Sequence, residues 1–220
     1  MKPANWATMV IGVAFLAAPH AAYASDDTFE VRLNQSITYN LEDDTAAELH
    51  TAQRFRSASD NRPDTYFARL WLHRDFGDEF TLSGGIEQRE NDGGFDEVRL
   101  LQQVTGRHGF LRTRLRFEQR WVEDQGRVGF RLRPRVGVSV PIDSEGDWHF
   151  RTDAELFLTL KSTSVGGDDG LTAMRSRFGV THDVNDNLKL SLAYLRQQNF
   201  RENAPDRVGH APQIGVSYTF

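Results

Sequence analysis

Two neighbouring stretches decide the fold: LRTRLRFEQRWV, residues 111–122, and VGFRLRPRVGVSV, residues 128–140. In the first, Leu111, Thr113, Leu115, Phe117, Gln119 and Trp121 alternate with Arg112, Arg114, Arg116, Glu118 and Arg120. In the second, Val128, Phe130, Leu132, Pro134, Val136, Val138 and Val140 alternate with Gly129, Arg131, Arg133, Arg135, Gly137 and Ser139. A helix would scatter these arginines around its circumference, whereas a period of two gathers each set on one face of a sheet. The stretch reads as strand, turn, strand, with one apolar face and one guanidinium face.

Alternation leaves open which face looks inward. In a soluble barrel the apolar set fills the core, and in an outer-membrane barrel it meets lipid while the charges line the lumen.

The ends of the chain favour the second arrangement. Residues 1–24 read as a secretory leader that is removed: Lys2 supplies the charge, Met9 to Ala18 the apolar run, and Ala22-Tyr23-Ala24 a small-x-small cleavage site. That apolar run is too short to span a bilayer as a helix. At the other end Ile214, Val216, Tyr218 and Phe220 alternate with polar or small residues. The pair Tyr218 and Phe220 resembles the terminal signal by which barrel-assembly machinery receives outer-membrane barrels.

Composition narrows the reading further. The chain has no cysteine, which excludes a disulfide framework and thiolate metal sites. A net charge of −5 and the lack of a basic tract give no sign of a nucleic-acid partner. Lysine occurs only at positions 2, 161 and 189, so nearly every cation is an arginine. Arginine pairs carboxylates through a planar fork and tolerates partial burial better than lysine, so an enclosed, ion-paired interior suits this set.

Alternating segments recur along the whole chain: around residues 29–40, 46–56 (the weakest), 66–75, 80–89, 97–104, 148–161, 174–181, 188–194 and 214–220, besides the two quoted. Eleven segments can be read, yet single-chain bacterial barrels carry an even number of strands. The expectation is therefore an antiparallel up-and-down transmembrane barrel of ten or twelve strands over residues 25–220. Connections near 76–79, 105–109, 141–147 and 183–187 fall at one end, and longer ones near 57–64, 162–170 and 200–212 at the other.

Three short patterns carry a family resemblance: DEVRLLQQ at 96–103, RTRLRFEQR at 112–120 and ELF at 155–157. Their order and spacing resemble a bacterial outer-membrane family, domain of unknown function 2490, with Leu101 standing where an aromatic is often seen. The resemblance implies a β-barrel in the outer membrane of a Gram-negative bacterium. It brings no reaction, cofactor or ligand.

On the barrel reading, Glu97, Arg99, Arg114, Arg116, Glu118, Arg120, Arg131, Arg133, Arg135 and Glu155 form a lumenal charge network. The network either cross-links the wall as paired buried charge or lines a narrow anion-preferring pore for a small anionic solute. The histidines beyond the leader, at 50, 73, 108, 149, 182 and 210, fall singly on different segments without triad or metal-ligand spacing, so neither catalysis nor a cofactor is expected. Trp71, Trp121, Trp148, Tyr194, Tyr218 and Phe220 read as an interfacial aromatic belt, with outer-membrane lipid as the partner. The competing reading is a soluble periplasmic lipocalin-like binding barrel with the two faces exchanged.

Overall fold

The computed structural model describes residues 26–57 and 62–220. The expected leader, residues 1–24, lies outside the described residues.

Eleven strands make one closed wall. They are β1 (Asp26–Glu42), β2 (Thr45–Arg56), β3 (Thr65–Phe76), β4 (Phe80–Asn91), β5 (Glu97–His108) and β6 (Leu111–Val122). β7 (Gly129–Pro141), β8 (Trp148–Lys161), β9 (Gly170–Asp183), β10 (Leu188–Asn199) and β11 (Arg207–Thr219) complete it. Each strand pairs antiparallel with the next in sequence, and β1 closes the ring on β11 in parallel.

This corrects the expected ten or twelve strands and the wholly antiparallel wall. All eleven alternating segments are wall strands, including the two irregular ones before residue 57. An odd number of up-and-down strands leaves the first and last running the same way, so closure has to be parallel. A parallel ladder is slightly weaker per residue, but an unclosed wall would expose two edges of unpaired N–H and C=O groups.

The seam is well tied. Its register runs from Asp26↔Arg207 to Thr38↔Thr219. Ser36 Oγ donates to Ser217 Oγ at 3.0 Å, the Phe220 N–H donates to the Thr38 carbonyl at 2.9 Å, and Asn40 Nδ2 donates to the Phe220 carbonyl at 3.1 Å.

Register fixes the shape of the barrel. Stepping from partner to partner around the wall, from Asn40 to Ala46 and on through Arg116, Arg133 and Asn199, returns to β1 at Asp26, fourteen residues from the start. With eleven strands spaced ~4.8 Å apart, that stagger tilts them ~41° and gives a backbone radius of ~11 Å. Twelve-residue strands at this tilt make a wall ~30 Å high. Guanidinium groups reaching in from opposite walls leave only a narrow lumen.

The apolar faces point outward. Leu72 (54% exposed), Leu115 (48%), Val136 (53%), Leu190 (41%) and Leu192 (58%) lie on the outer wall, while Arg99, Arg116, Arg133, Glu87, Glu118 and Glu155 are buried inside. The chain therefore does not adopt the exchanged-face barrel with an oily centre.

Connections at the end shared with Phe220 (43–44, 77–79, 109–110, 142–147, 184–187) span two to six residues, and those at the other end five to eight. Exposed aromatics gather toward both rims: Tyr39, Phe76, Phe80, Phe110, Trp148, Tyr218 and Phe220 toward the short-turn end, and Phe29, Phe55, Tyr66, Phe95 and Trp121 toward the other. Trp71 is a correction to the expected belt. It is 6% exposed and lies inside the barrel, because it shares the parity of Arg69 and His73 on β3.

Candidate functional site

The lumen is built from the polar positions of every strand. On β3 to β9 one residue from each strand, alternately arginine and glutamate, forms an unbroken ionic chain: Arg69, Glu87, Arg99, Glu118, Arg133, Glu155 and Arg175. The parity that faces the apolar residues outward brings these seven to neighbouring heights.

Each glutamate in the chain serves several guanidinium groups. Glu87 accepts from Arg69 Nε at 2.9 Å and Arg89 Nη2 at 2.8 Å, with Arg99 Nη1 3.4 Å away. Glu118 accepts from Arg131 Nε at 2.9 Å and from Arg133 Nη1, and Arg99 stands 3.9 Å off. Arg133 grips Glu155 in a fork, Nε to Oε1 at 3.1 Å and Nη2 to Oε2 at 2.9 Å, while Arg114 and Arg175 reach the same carboxylate. Buried carboxylates sharing several charge-assisted bonds in this way offset much of their desolvation cost.

Glu97 takes Arg99 and Arg120, and Glu30 takes Arg32 and Arg56. Asp153 accepts from Arg177 Nε at 3.0 Å and Nη2 at 2.6 Å.

Cations still outnumber anions. A cavity of about 240 Å³ lies inside the barrel, lined by twelve arginines and only two carboxylates, Asp153 and Glu155. Four more carboxylates, Glu30, Glu87, Glu97 and Glu118, pair with the lining arginines from beside the cavity. The twelve lining guanidinium groups thus have six carboxylate partners within 4.0 Å among the described residues, with Glu48 a seventh inward carboxylate near Arg69 and Arg116, so positive charge is in excess. Arg54, Arg116 and Arg135 have no carboxylate within 4.0 Å there. Arg116 instead donates from Nε and Nη2 to Gln103 Oε1 at 2.9 and 2.7 Å, and the Arg54 Nε–H is buried without an acceptor.

Three aromatic rings inside the lumen hold like-charged groups together. Arg54, Arg69 and Arg89 lie over Phe67 at 5.0–5.5 Å, Arg69 and Arg116 over Trp71 at 5.5 and 5.1 Å, and Arg131, Arg133 and Arg175 over Phe157 at 4.2–5.2 Å. Stacking engages the face of a guanidinium and leaves its N–H edge free to donate. Gly85 makes room for Trp71: a Cβ there would stand 2.5 Å from the indole Cε3 and 2.7 Å from the Leu70 carbonyl. Phe157 sits at a register irregularity on β8, the kind of bulge that re-aims a side chain.

Of the ten residues singled out from sequence, all lie on the inner parity of β5 to β8. Glu97, Arg99, Arg114, Glu118, Arg120, Arg131, Arg133 and Glu155 join ion pairs, whereas Arg116 and Arg135 form none with the described residues. Sequence reasoning left out Glu30, Arg32, Arg54, Arg69, Glu87, Arg89, Arg175 and Arg177, although strand parity marks each as inward. The three platform rings were missed for a different reason, since an aromatic on a polar face reads as noise.

The histidines stay apart. His50 packs edge-on to Phe67, His182 stacks on Trp148 at 4.2 Å, and His210 contacts the Tyr194 hydroxyl. One line of Ser, His and Glu does come together: Ser83 Oγ is 2.8 Å from His73 Nδ1, whose Nε2 is 4.0 Å from Glu48. The second gap is too long for an orienting hydrogen bond, and Ser83 is buried. Among the described residues no group of His, Asp and Glu has metal-binding geometry.

A model of the family described as protein of unknown function DUF2490 matches residues 29–208. The chain belongs to that family. An uncharacterized protein of Methylorubrum extorquens is 29% identical over 132 residues, 54% of this chain and 57% of the relative, so the chain spans just over half the length of the curated relative it matches. Among solved structures the barrel is similar to the NanC porin, with a TM-score of 0.57 at 12% identity, covering 87% of this chain and 99% of the porin. At that identity the likeness concerns the fold: this DUF2490 chain is a porin-like closed β-barrel.

Proposed function

We propose that the protein is a non-enzymatic outer-membrane barrel that admits small anions to a narrow, arginine-lined lumen. The observation that carries this reading is the excess of guanidinium groups over carboxylates around one internal cavity. Enclosed surplus charge needs counter-ions, and a ring of arginines favours anions over cations. The ionic chain from β3 to β9 plays the structural part, holding the wall at fixed width, while the surplus arginines supply the attraction.

Support for the membrane comes from the outer wall. Monomeric soluble proteins rarely expose contiguous apolar patches beyond a few hundred Å². Here every strand presents aliphatic side chains outward between two aromatic rims, as lipid-facing barrels do. The expected leader would export the chain, and on this reading Tyr218 and Phe220, whose rings pack edge-on at 4.7 Å, are the signal taken by the assembly machinery.

Planar-bilayer recording tests the proposal. In a tenfold KCl gradient the wild-type reversal potential is expected to lie on the chloride side, moving toward zero in Arg54→Gln, Arg116→Gln and Arg135→Gln. Cation selectivity, or no current from correctly folded protein, would overturn the pore. Recovery of the protein in the soluble periplasm without detergent would overturn the membrane assignment.

A further inference from the structure

The stacked arginines form two groups. Phe67 on β3 gathers Arg54, Arg69 and Arg89, and Phe157 on β8 gathers Arg131, Arg133 and Arg175. Counted around the ring, β3 and β8 are five strands apart of eleven, so the groups face each other across the lumen. All six arginines and both rings line the same cavity.

Neither group is neutralised locally. Arg69 and Arg89 share Glu87, with Glu97 reaching Arg89 only at 4.0 Å, and Arg54 has no carboxylate within 4.0 Å among the described residues. Across the lumen, Glu118 and Glu155 are divided among Arg131, Arg133 and Arg175, and Glu155 also serves Arg114. Arg175 spends its Nε and Nη2 on Gln197, a neutral acceptor, at 3.0 and 2.6 Å. Aromatic platforms supplement too few carboxylates in holding these cations close, and each guanidinium, with five N–H donors, keeps some for a third party.

From this arrangement we infer a binding site for one compact multivalent oxyanion, a polyphosphate or polycarboxylate bridging the Phe67 and Phe157 arginine groups. A cavity of about 240 Å³ suits a molecule of roughly a dozen heavy atoms rather than a polymer. Charge at both ends of the ligand satisfies both walls at once. A singly charged anion reaches only one wall, so affinity rises with valence. The inference deepens the proposed anion lumen by naming the ligand class, and it rests on that reading only for how the ligand arrives.

Isothermal titration of the folded barrel in detergent, using pyrophosphate, citrate, orthophosphate and acetate at fixed ionic strength, tests the site directly. One pyrophosphate or citrate is expected per barrel, at least tenfold tighter than acetate. Arg54→Gln and Arg175→Gln, one from each wall, should each weaken it by tenfold or more. Phe67→Leu, which changes no charge, should weaken it too, while Arg74→Gln on the outside should not. Multivalent anions binding no tighter than acetate, or wall variants without effect in protein whose circular dichroism is native, would overturn the inference.

Conductance separates the two proposals. A chloride current unblocked by pyrophosphate removes the bridging site and leaves the pore. Stoichiometric pyrophosphate binding in a barrel that carries no current removes the pore and leaves the site.

Discussion

Replacing Glu118 with Gln tests whether the ionic chain holds the wall. Glu118 is fully buried on β6, bonded to Arg131 and Arg133 on β7 and 3.9 Å from Arg99 on β5. The amide has nearly the same shape, so packing is kept and the charge alone is lost. Arg133 retains its fork to Glu155, and Arg99 retains Glu97 and Glu87, but Arg131 loses its only carboxylate within 4.0 Å among the described residues.

Breaking a buried pair from one side typically costs about 3–5 kcal/mol, because the partner is left uncompensated. With a urea slope of about 2 kcal/mol/M, the unfolding midpoint in lipid vesicles should fall by about 2 M. Adding Arg131→Gln should recover part of the loss, since the orphaned charge is then gone. Glu79→Gln, in an exposed turn, should shift the midpoint negligibly. A change under about 0.5 kcal/mol for Glu118→Gln, with the slope unchanged, would mean that water screens the lumen and that the chain of pairs contributes little.

Other consequences are as specific. Gly85→Ala should cost about 1–3 kcal/mol in the same unfolding assay, because its Cβ meets the Trp71 ring and a backbone carbonyl. Gly84→Ala, next to it with nothing within 4 Å of its Cβ, should cost far less. Parallel closure puts Asp26 at the same end as the 162–169 connection and opposite the 43–44 turn. Impermeant labels applied to intact cells should therefore mark tags at residue 26 and at residue 166 together, and a tag at 43–44 only after permeabilisation or in the reverse pattern; residue 26 labelling with 43–44 would break the topology. Leu192→Arg should destabilise the vesicle-bound barrel by about 2–4 kcal/mol, as expected for arginine facing the lipid midplane. A near-neutral result would place that wall in water.

Much of this architecture could be read from the chain because a period of two is hard to imitate. Along β6 and β7, residues 111–140, the alternation is nearly perfect, and it sorts arginines from aliphatics without any three-dimensional information. Strand number was legible too, but the even-number expectation overrode eleven segments that were visible. Parallel closure is a long-range property of β1 and β11, and no local pattern announces it.

The segment before residue 57 alternates weakly for a physical reason. Gln35, Thr51 and Gln53 share the outer parity of β1 and β2 and satisfy one another, with Gln35 Nε2 donating to Gln53 Oε1 at 3.1 Å and Thr51 Oγ1 to Gln35 Oε1 at 3.0 Å. Polar groups paired in this way can occupy an otherwise apolar face. The lumen shows the converse with Phe67, Trp71 and Phe157: aromatic rings sit on the charged face because cations need a neutral support there. Parity assigned Trp71 correctly to the side of Arg69, and the habit of sending tryptophan to a membrane rim assigned it wrongly.

The chain contains no cysteine, so single spin labels can be placed without removing any native residue of that type. Labels at 190, 191 and 192 on β10, in the barrel reconstituted into vesicles, address the face assignment directly. Leu190→Cys and Leu192→Cys should show high accessibility to oxygen and low accessibility to a polar relaxation agent, and Ser191→Cys between them the opposite. Positions 190 and 192 open to the polar agent, or three positions alike, would contradict a barrel that encloses its arginines and turns its aliphatic side chains to lipid.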